Sequence, residues 1–441
     1  MRITELYEHQ KEALNLTADK NHVAYYHDMG LGKTFTGAEK MMRLGAKVNL
    51  VICQKSKIQD WIEHFRENYK VPDHILIYDL TDKEEFERFM MFNGITYGLQ
   101  IIGVINYELA FRRKDLLNLK DFTLMLDESS MITNETAKRS KFILKMQPKN
   151  VILLSGTPTG GKYEKLWSQM KLLGWNISKK MFYNQYVDYH YEDNEGFPLM
   201  IIDGYKNEER LKRKMRDHGC HFLMTNEVFD LPEQVHQTIG VPTTKEYRTF
   251  RKDSIVSIPK IFYVDGMKDN PVIEDVELVG DTTLTKMLYE RQLCGQYNED
   301  KLAAFEDLLE STNDRLIVFY NFNAELDALK HISDLSGRDS SIINGQVKDL
   351  YAYEEKNDSV TFIQYQAGAM GLNLQKANKI VYFTPPLSSE LFEQSKKRIH
   401  RIGQDKTCFY YYLTCKNSIE EKIYKTLAMR KDYTEALFEE E

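Results

Sequence analysis

Cysteine is scarce in this chain: five in 441 residues, at Cys53, Cys220, Cys294, Cys408 and Cys415. The number is odd and no pair has C-x-x-C spacing. That argues against a disulfide framework or a zinc site, and for a reducing cytoplasm. No run of about 18 apolar residues occurs, so no membrane span is expected. The opening stretch from Met1 to Leu14 is mixed and charged and lacks the apolar centre of a secretory signal. The eleven histidines contain no H-x-x-x-H pair suited to a metal. Positive charge is not in excess. The net charge of −7 excludes a molecule coated in lysine but leaves room for a local basic groove on nucleic acid.

What is present is an ordinary globular balance, with 42% hydrophobic and 28% charged residues. At roughly 100–200 residues per domain, the length suggests about two to four domains. Short apolar runs at Val23–Tyr26, Val48–Cys53, Ile101–Ile105, Phe122–Leu126 and Val151–Leu154 predict buried strands. The first two flank a helix-forming stretch, Thr34–Leu44. Such alternation predicts an α/β fold with a parallel sheet, whose active groups gather at the carboxyl ends of the strands. Beyond residue 162 the chain turns polar and tyrosine-rich and reads as helical to about residue 300. Lys206–Arg216 reads as a basic helix, solvated or phosphate-contacting. Alternation returns at Arg315–Tyr320, Val360–Tyr365 and Lys379–Phe383. The boundaries are therefore 1–162, 163–300 and 301–441: two α/β lobes and a helical region between them.

Three constellations carry chemistry. After the first strand comes His27-Asp28-Met29-Gly30-Leu31-Gly32-Lys33-Thr34, and then a helix. Backbone N–H groups in such a loop, with the helix N-terminus behind them, cradle phosphate. Gly30 and Gly32 permit close approach, Lys33 reaches the outer phosphates, and the Thr34 hydroxyl suits Mg²⁺. His27 occupies the place where such loops usually begin with glycine. The strand Phe122–Leu126 ends in Asp127-Glu128-Ser129-Ser130. Asp127 there suits Mg²⁺, and Glu128 suits the activation of an attacking water. Late in the chain, QSKKRIHRIGQ sets Arg398 and Arg401 three apart on one helical face, where they could stabilise phosphoryl transfer.

With these residues in view the chain resembles the SWI/SNF-type branch of superfamily-two helicase-like ATPases. HDMGLGKT resembles that branch's D-E-M-G-L-G-K-T loop. LYEHQKEAL, with Gln10, resembles its adenine-contacting glutamine motif. VICQKSKIQDW, with Ser56 and Trp61, and INYELA, with Tyr107, resemble nucleic-acid motifs. LLSGTPTGG resembles the coupling motif, with Ser155, Gly156 and Thr157. RLIVFYNF and QAGAMGLNL follow, the latter implying nucleic-acid contacts at Gly368, Gly371 and Asn373. RIHRIGQ closes the series, with Gln394 just upstream implied in coupling.

The resemblance implies two RecA-like lobes with helical protrusions, Arg398 and Arg401 as arginine fingers, and ATP with Mg²⁺ as cofactors. It implies double-stranded DNA as the substrate track, no membrane, and a monomer. Strand separation on DNA or RNA is the alternative activity, and a non-hydrolysing nucleic-acid scaffold the alternative of another class. Ser130 stands where histidine is common, and Gln366 where a basic residue is. The short chain resembles compact bacterial or bacteriophage members. A nuclease or recombination partner suits such a member, but no residue shows one.

Overall fold

The structure is a computed structural model that describes residues 4–69, 75–93, 98–194, 197–262, 272–368 and 372–438. The chain divides into two compact units, Met1–Asp230 with Arg430–Glu441, and Leu231–Met429.

The first unit opens with helix α1 (Glu8–Leu16) and strand β1 (His22–His27), followed by helix α2 (Lys33–Leu44). Strand β2 (Val48–Cys53) and helix α3 (Ile58–Asn68) come next. Strands β3 (Ile75–Asp79), β4 (Gln100–Asn106), β5 (Thr123–Asp127) and β6 (Asn150–Ser155) complete the central sheet's long run. Strands β7 (Val187–Asn194) and β8 (Phe197–Tyr205) form a separate antiparallel hairpin. Strand β9 (Cys220–Leu223) returns to the edge beside β1. The seven-stranded sheet has the order β3-β4-β2-β5-β6-β1-β9, with every pairing parallel.

Its strands read as unbroken apolar runs because helices cover both faces. Alternate residues sort to opposite sides. Leu50, Ile52, Leu124, Leu126 and Leu153 enter one core. Val51, Val104, Met125, Ile152 and Leu154 enter the other.

The second unit repeats the scheme. Strand β10 (Gln234–Val241) is followed by the hairpin β11 (Ile255–Phe262) and β12 (Val272–Val279), then β13 (Leu316–Tyr320), β14 (Ser340–Ile343), β15 (Val360–Gln364), β16 (Lys379–Tyr382) and β17 (Cys408–Cys415). Six of these form a parallel sheet in the order β10-β17-β16-β13-β15-β14. Ile317, Phe319, Ile363 and Ile380 pack on one side of it. Leu316, Val318, Phe362 and Val381 pack on the other.

All the strands expected from the apolar runs are present. The stretch 163–300 differs from its helical reading. It holds helices, among them Glu208–Asp217 and Thr283–Cys294, but also two β-hairpins and the edge strands β9 and β10. All five cysteines are buried free thiols. No helix among the described residues is long and apolar enough to cross a membrane.

Candidate nucleotide site

The carboxyl ends of β5, β6, β1 and β9 lie side by side in the first sheet. Parallel pairing sets Tyr26 beside Ser155, Leu154 beside Asp127, and His27 beside Leu223. The loop after β1, the acidic turn after β5 and the coupling motif after β6 therefore meet at one edge.

The loop after β1 turns through glycine. Gly30 and Gly32 take left-handed φ values of 92° and 68°, which side chains resist, and Gly32 is the N-cap of α2. A Cβ on Gly32 would strike the Gln10 amide. That amide is buried. It donates to the carbonyls of Leu31 at 3.2 Å and Gly32 at 3.3 Å, and its oxygen accepts the Tyr7 N–H at 3.0 Å. Gln10, expected at adenine, thus also clamps the loop. Lys33 Nζ donates to the carbonyls of His27 at 2.9 Å and Asp28 at 3.1 Å. Met29 donates its N–H to Asp28 Oδ1 at 3.1 Å, and the Leu31 side chain is buried. Thr34 is half-buried in the first turn of α2.

His27 is fully buried at the glycine position, its Nε2 2.9 Å from His221 Nδ1. Burial first, then the neighbouring His221 and Lys33 charges, drive its pKa well below the ordinary histidine range. A neutral ring therefore fills the space, and the loop keeps its turn because Gly30 and Gly32 supply it.

At the end of β5, Asp127 Oδ2 accepts the indole N–H of Trp61 at 2.8 Å. Burial raises the Asp127 pKa; the Trp61 hydrogen bond and the Lys33 charge oppose that rise. Glu128 follows in the left-handed region at φ 59°, which turns its side chain towards β6. Its Oε1 accepts from Ser155 Oγ at 2.8 Å and from Ser130 Oγ at 3.2 Å. Ser155 Oγ in turn accepts the Thr157 N–H at 3.1 Å. The acidic and coupling motifs are thereby one hydrogen-bonded chain, and Ser130 stands within it in place of histidine. Gly156 closes the gap: a Cβ there would lie 3.3 Å from Lys33 Nζ. The Thr157 hydroxyl is buried and has no hydrogen-bond partner among the described residues. The Thr157 hydroxyl, the half-buried Asp127 carboxylate and the Thr34 hydroxyl are a set of hard oxygen donors on loops that meet at this edge near Lys33. That set fits a Mg²⁺–phosphate group.

Two positions escape the motif reading. Gln169, fully buried, accepts from Tyr26 OH at 3.0 Å and Ser129 Oγ at 2.7 Å, and donates to the Pro158 carbonyl at 2.7 Å. It joins the three motif loops, yet a lone helical glutamine carries no sequence signal. Thr225, in the segment FLMTNEVFDLPEQ, donates its hydroxyl to Asp28 Oδ2 at 2.9 Å.

The expected nucleic-acid residues divide. Ser56 is exposed on a short 3-10 turn. Tyr107 corrects its expectation of a direct contact. It is fully buried, and its hydroxyl donates to the Asp127 carbonyl at 2.9 Å, so it supports the acidic turn. Gly368 ends a short helix, and Gly371 lies outside the described residues. Asn373 is exposed and accepts a hydrogen bond from Arg401.

In the second unit, Arg398 is only 2% exposed and donates to the Leu372 carbonyl at 3.4 Å. Burial lowers the Arg401 pKa somewhat below its ordinary value. Gln394 is buried on the preceding helix, its amide 3.4 Å from Glu390.

Two parallel-sheet units with this loop, acidic turn and coupling turn define a class, that of the SNF2/helicase-family ATPases. The sequence model of the SNF2-related domain matches residues 9–299, and that of the helicase conserved C-terminal domain matches residues 300–403. The chain belongs to the SNF2-related family. A mouse relative, SWI/SNF-related matrix-associated actin-dependent regulator of chromatin subfamily A member 1, is 23% identical over 90% of this chain and 39% of its own length. The uncharacterized ATP-dependent helicase YqhH of Bacillus subtilis is 21% identical over 91% of this chain and 73% of its own. Among solved structures, the Sulfolobus solfataricus SWI2/SNF2 ATPase core in complex with dsDNA is 17% identical. That alignment has a TM-score of 0.45 and covers 98% of this chain and 93% of that one. The chain thus spans about two-fifths of the mouse protein.

Proposed function

We propose that this chain is an ATP-driven motor that moves along or remodels double-stranded DNA without needing to separate its strands. The observation that carries the ATPase part is Glu128 held between Ser130 and Ser155, at the strand end beside Lys33. Gln10 contacts adenine while holding the loop. The loop from Asp28 to Thr34 cradles the phosphates, with Lys33 as the point charge. Thr34 and Asp127 hold Mg²⁺, which when bound polarises the phosphate oxygens and neutralises developing charge.

Glu128 takes a proton from the attacking water, and the two serine hydroxyls orient its carboxylate. Ser155, Gly156 and Thr157 carry the state of that carboxylate into the coupling motif. Arg398 and Arg401 stabilise the transferring phosphoryl group, which requires them to exchange their contacts with Leu372 and Asn373. DNA is gripped through its phosphates near Ser56 and the 368–373 segment, a sequence-tolerant mode.

The test is ATP turnover with no polymer, single-stranded DNA, duplex DNA and duplex RNA, with Glu128→Gln alongside. Duplex DNA should stimulate most, and Glu128→Gln should bind ATP yet lose roughly 10²–10⁴-fold in turnover. Preference for single strands or RNA would transfer the reading to a strand-separating helicase. Wild-type turnover in the variant would remove Glu128 from its role. ATP binding without turnover on any polymer would make the chain a nucleic-acid scaffold.

A further inference from the structure

The β7–β8 hairpin belongs to neither central sheet. It stands as a sheet of two strands, so among the described residues both its outer edges are without a strand partner. Residues 187–205 contain five carboxylates, Asp188, Glu192, Asp193, Glu195 and Asp203, and no lysine or arginine. One of these is offset, since Lys206 pairs with Asp188 at 2.8 Å.

The register sorts the rest by face. Tyr189 lies opposite Ile202 and Tyr191 opposite Met200, so these four share one side. The tyrosines continue a ladder from Tyr183, with ring centroids 6.4 Å apart to Tyr189 and then 5.8 Å to Tyr191. Tyr191 is 62% exposed. His190 and Glu192 point to the other side. There the His190 ring is clasped by Asp203 at 2.8 Å and Glu192 at 3.3 Å. The hairpin therefore has one tyrosine-lined face, which also carries Asp193, and one face on which Glu192 and Asp203 flank His190 across from Ile201.

We infer that this hairpin is a docking edge for an extended basic segment of a partner protein. The segment adds as a third strand, with its lysines or arginines beside Glu192 and Asp203 and its apolar side chains over the tyrosines. Strand addition draws on the unpaired backbone of an edge, and alternate side chains supply specificity. Exposed tyrosine, as at Tyr191, is what protein interfaces favour. Duplex DNA does not suit the surface, because its phosphates would meet carboxylates. A second copy does not suit it either, since hairpin against hairpin would set like charges across the joint.

The experiment measures binding of labelled peptides to the full chain by fluorescence anisotropy. The probes are an alternating Arg–Val peptide, a peptide of the same composition with its arginines in one block, an alternating Glu–Val peptide, and a short duplex DNA. The alternating basic peptide should bind best. Glu192→Lys and Tyr191→Ala should each weaken it roughly tenfold, since cross-strand pairs add up along an edge. ATP turnover of both variants should stay at the wild-type level, which shows that they fold. The inference is overturned if the blocked peptide binds as well as the alternating one, for then charge alone is at work. It is overturned equally if the variants bind unchanged, if Glu192→Lys weakens duplex binding, or if sedimentation shows a dimer that Glu192→Lys dissolves.

Discussion

Two carboxylates, Asp127 half-buried and Glu325 fully buried, show how much depends on single neighbours. Asp127 keeps its place because an indole N–H reaches it at 2.8 Å. Trp61→Phe keeps an aromatic ring and removes that donor, leaving a half-buried acceptor without it at a cost of about 1 kcal/mol. Under the proposed function, the Mg²⁺ concentration for half-maximal turnover should rise several-fold while nucleotide binding without metal is unchanged. A Mg²⁺ titration of turnover checks this; an unaltered midpoint would make Trp61 a packing residue only. Glu325 is the second case. Its Oε2 accepts from the N–H groups of Asn321 at 2.8 Å and Phe322 at 3.1 Å and from the Thr384 hydroxyl at 3.0 Å. Its Oε1 is buried without a partner among the described residues. Burial, only partly opposed by those hydrogen bonds, raises its pKa from 4.5 to about 7. A carboxyl raised on folding stabilises the fold below pH 4.5, and that contribution is lost as pH rises through about 7. The loss is on the order of 3 kcal/mol. Denaturant titrations between those limits should show this slope in the wild type and a flatter one in Glu325→Gln.

At the scale of elements, the site is a set of strand ends tied to one another. β5 and β6 are joined through Glu128 and Ser155, and β1 and β9 through Asp28 and Thr225. Thr225 is 3% exposed, so its hydroxyl bond to Asp28 is sheltered from water. Thr225→Val keeps the shape and drops the bond. Affinity for a fluorescent ATP analogue should fall roughly threefold to tenfold, and Thr225→Ser should restore it. Equal affinity in all three would show that the loop holds itself. Sequence made the central strands legible because burial on both faces demands continuous apolar runs, as in Val48–Cys53. Edge strands lack that demand. β10 is exposed at five of its eight residues, so it is not visible as an apolar run, whereas β3, Ile75-Leu76-Ile77-Tyr78, is such a run that is missing from the expected strands. Strand β7 was hidden because its alternation mixes tyrosine with acid rather than apolar with polar. The loop, acidic turn and coupling motif were legible because phosphate chemistry restricts residue types at fixed spacing. Tyr107 was misplaced because a motif names a residue but not the side of the sheet on which its ring is buried.

Across the whole molecule, and under the proposed function, the charge constrains how DNA can be held. A chain with a net charge of −7 repels a duplex at long range, so binding must rest on a small local set of basic groups. For B-DNA the logarithm of affinity falls with the logarithm of salt at a slope of about −0.9 per phosphate neutralised. A local footprint therefore predicts a modest slope, and one confined to the DNA-dependent part of turnover. Under the proposed function the basal ATPase depends on Asp127 and Lys33, both half-buried, which are screened less by salt than fully exposed groups. Turnover measured with and without duplex over a salt series should give two curves that converge as salt rises, the stimulated one descending to the basal one. Parallel decline of both would place the salt sensitivity in nucleotide binding. A stimulation that survives high salt would mean that DNA is held by contacts other than its phosphates, and the exposed Ser56 turn and Asn373 would then cease to be the places to look.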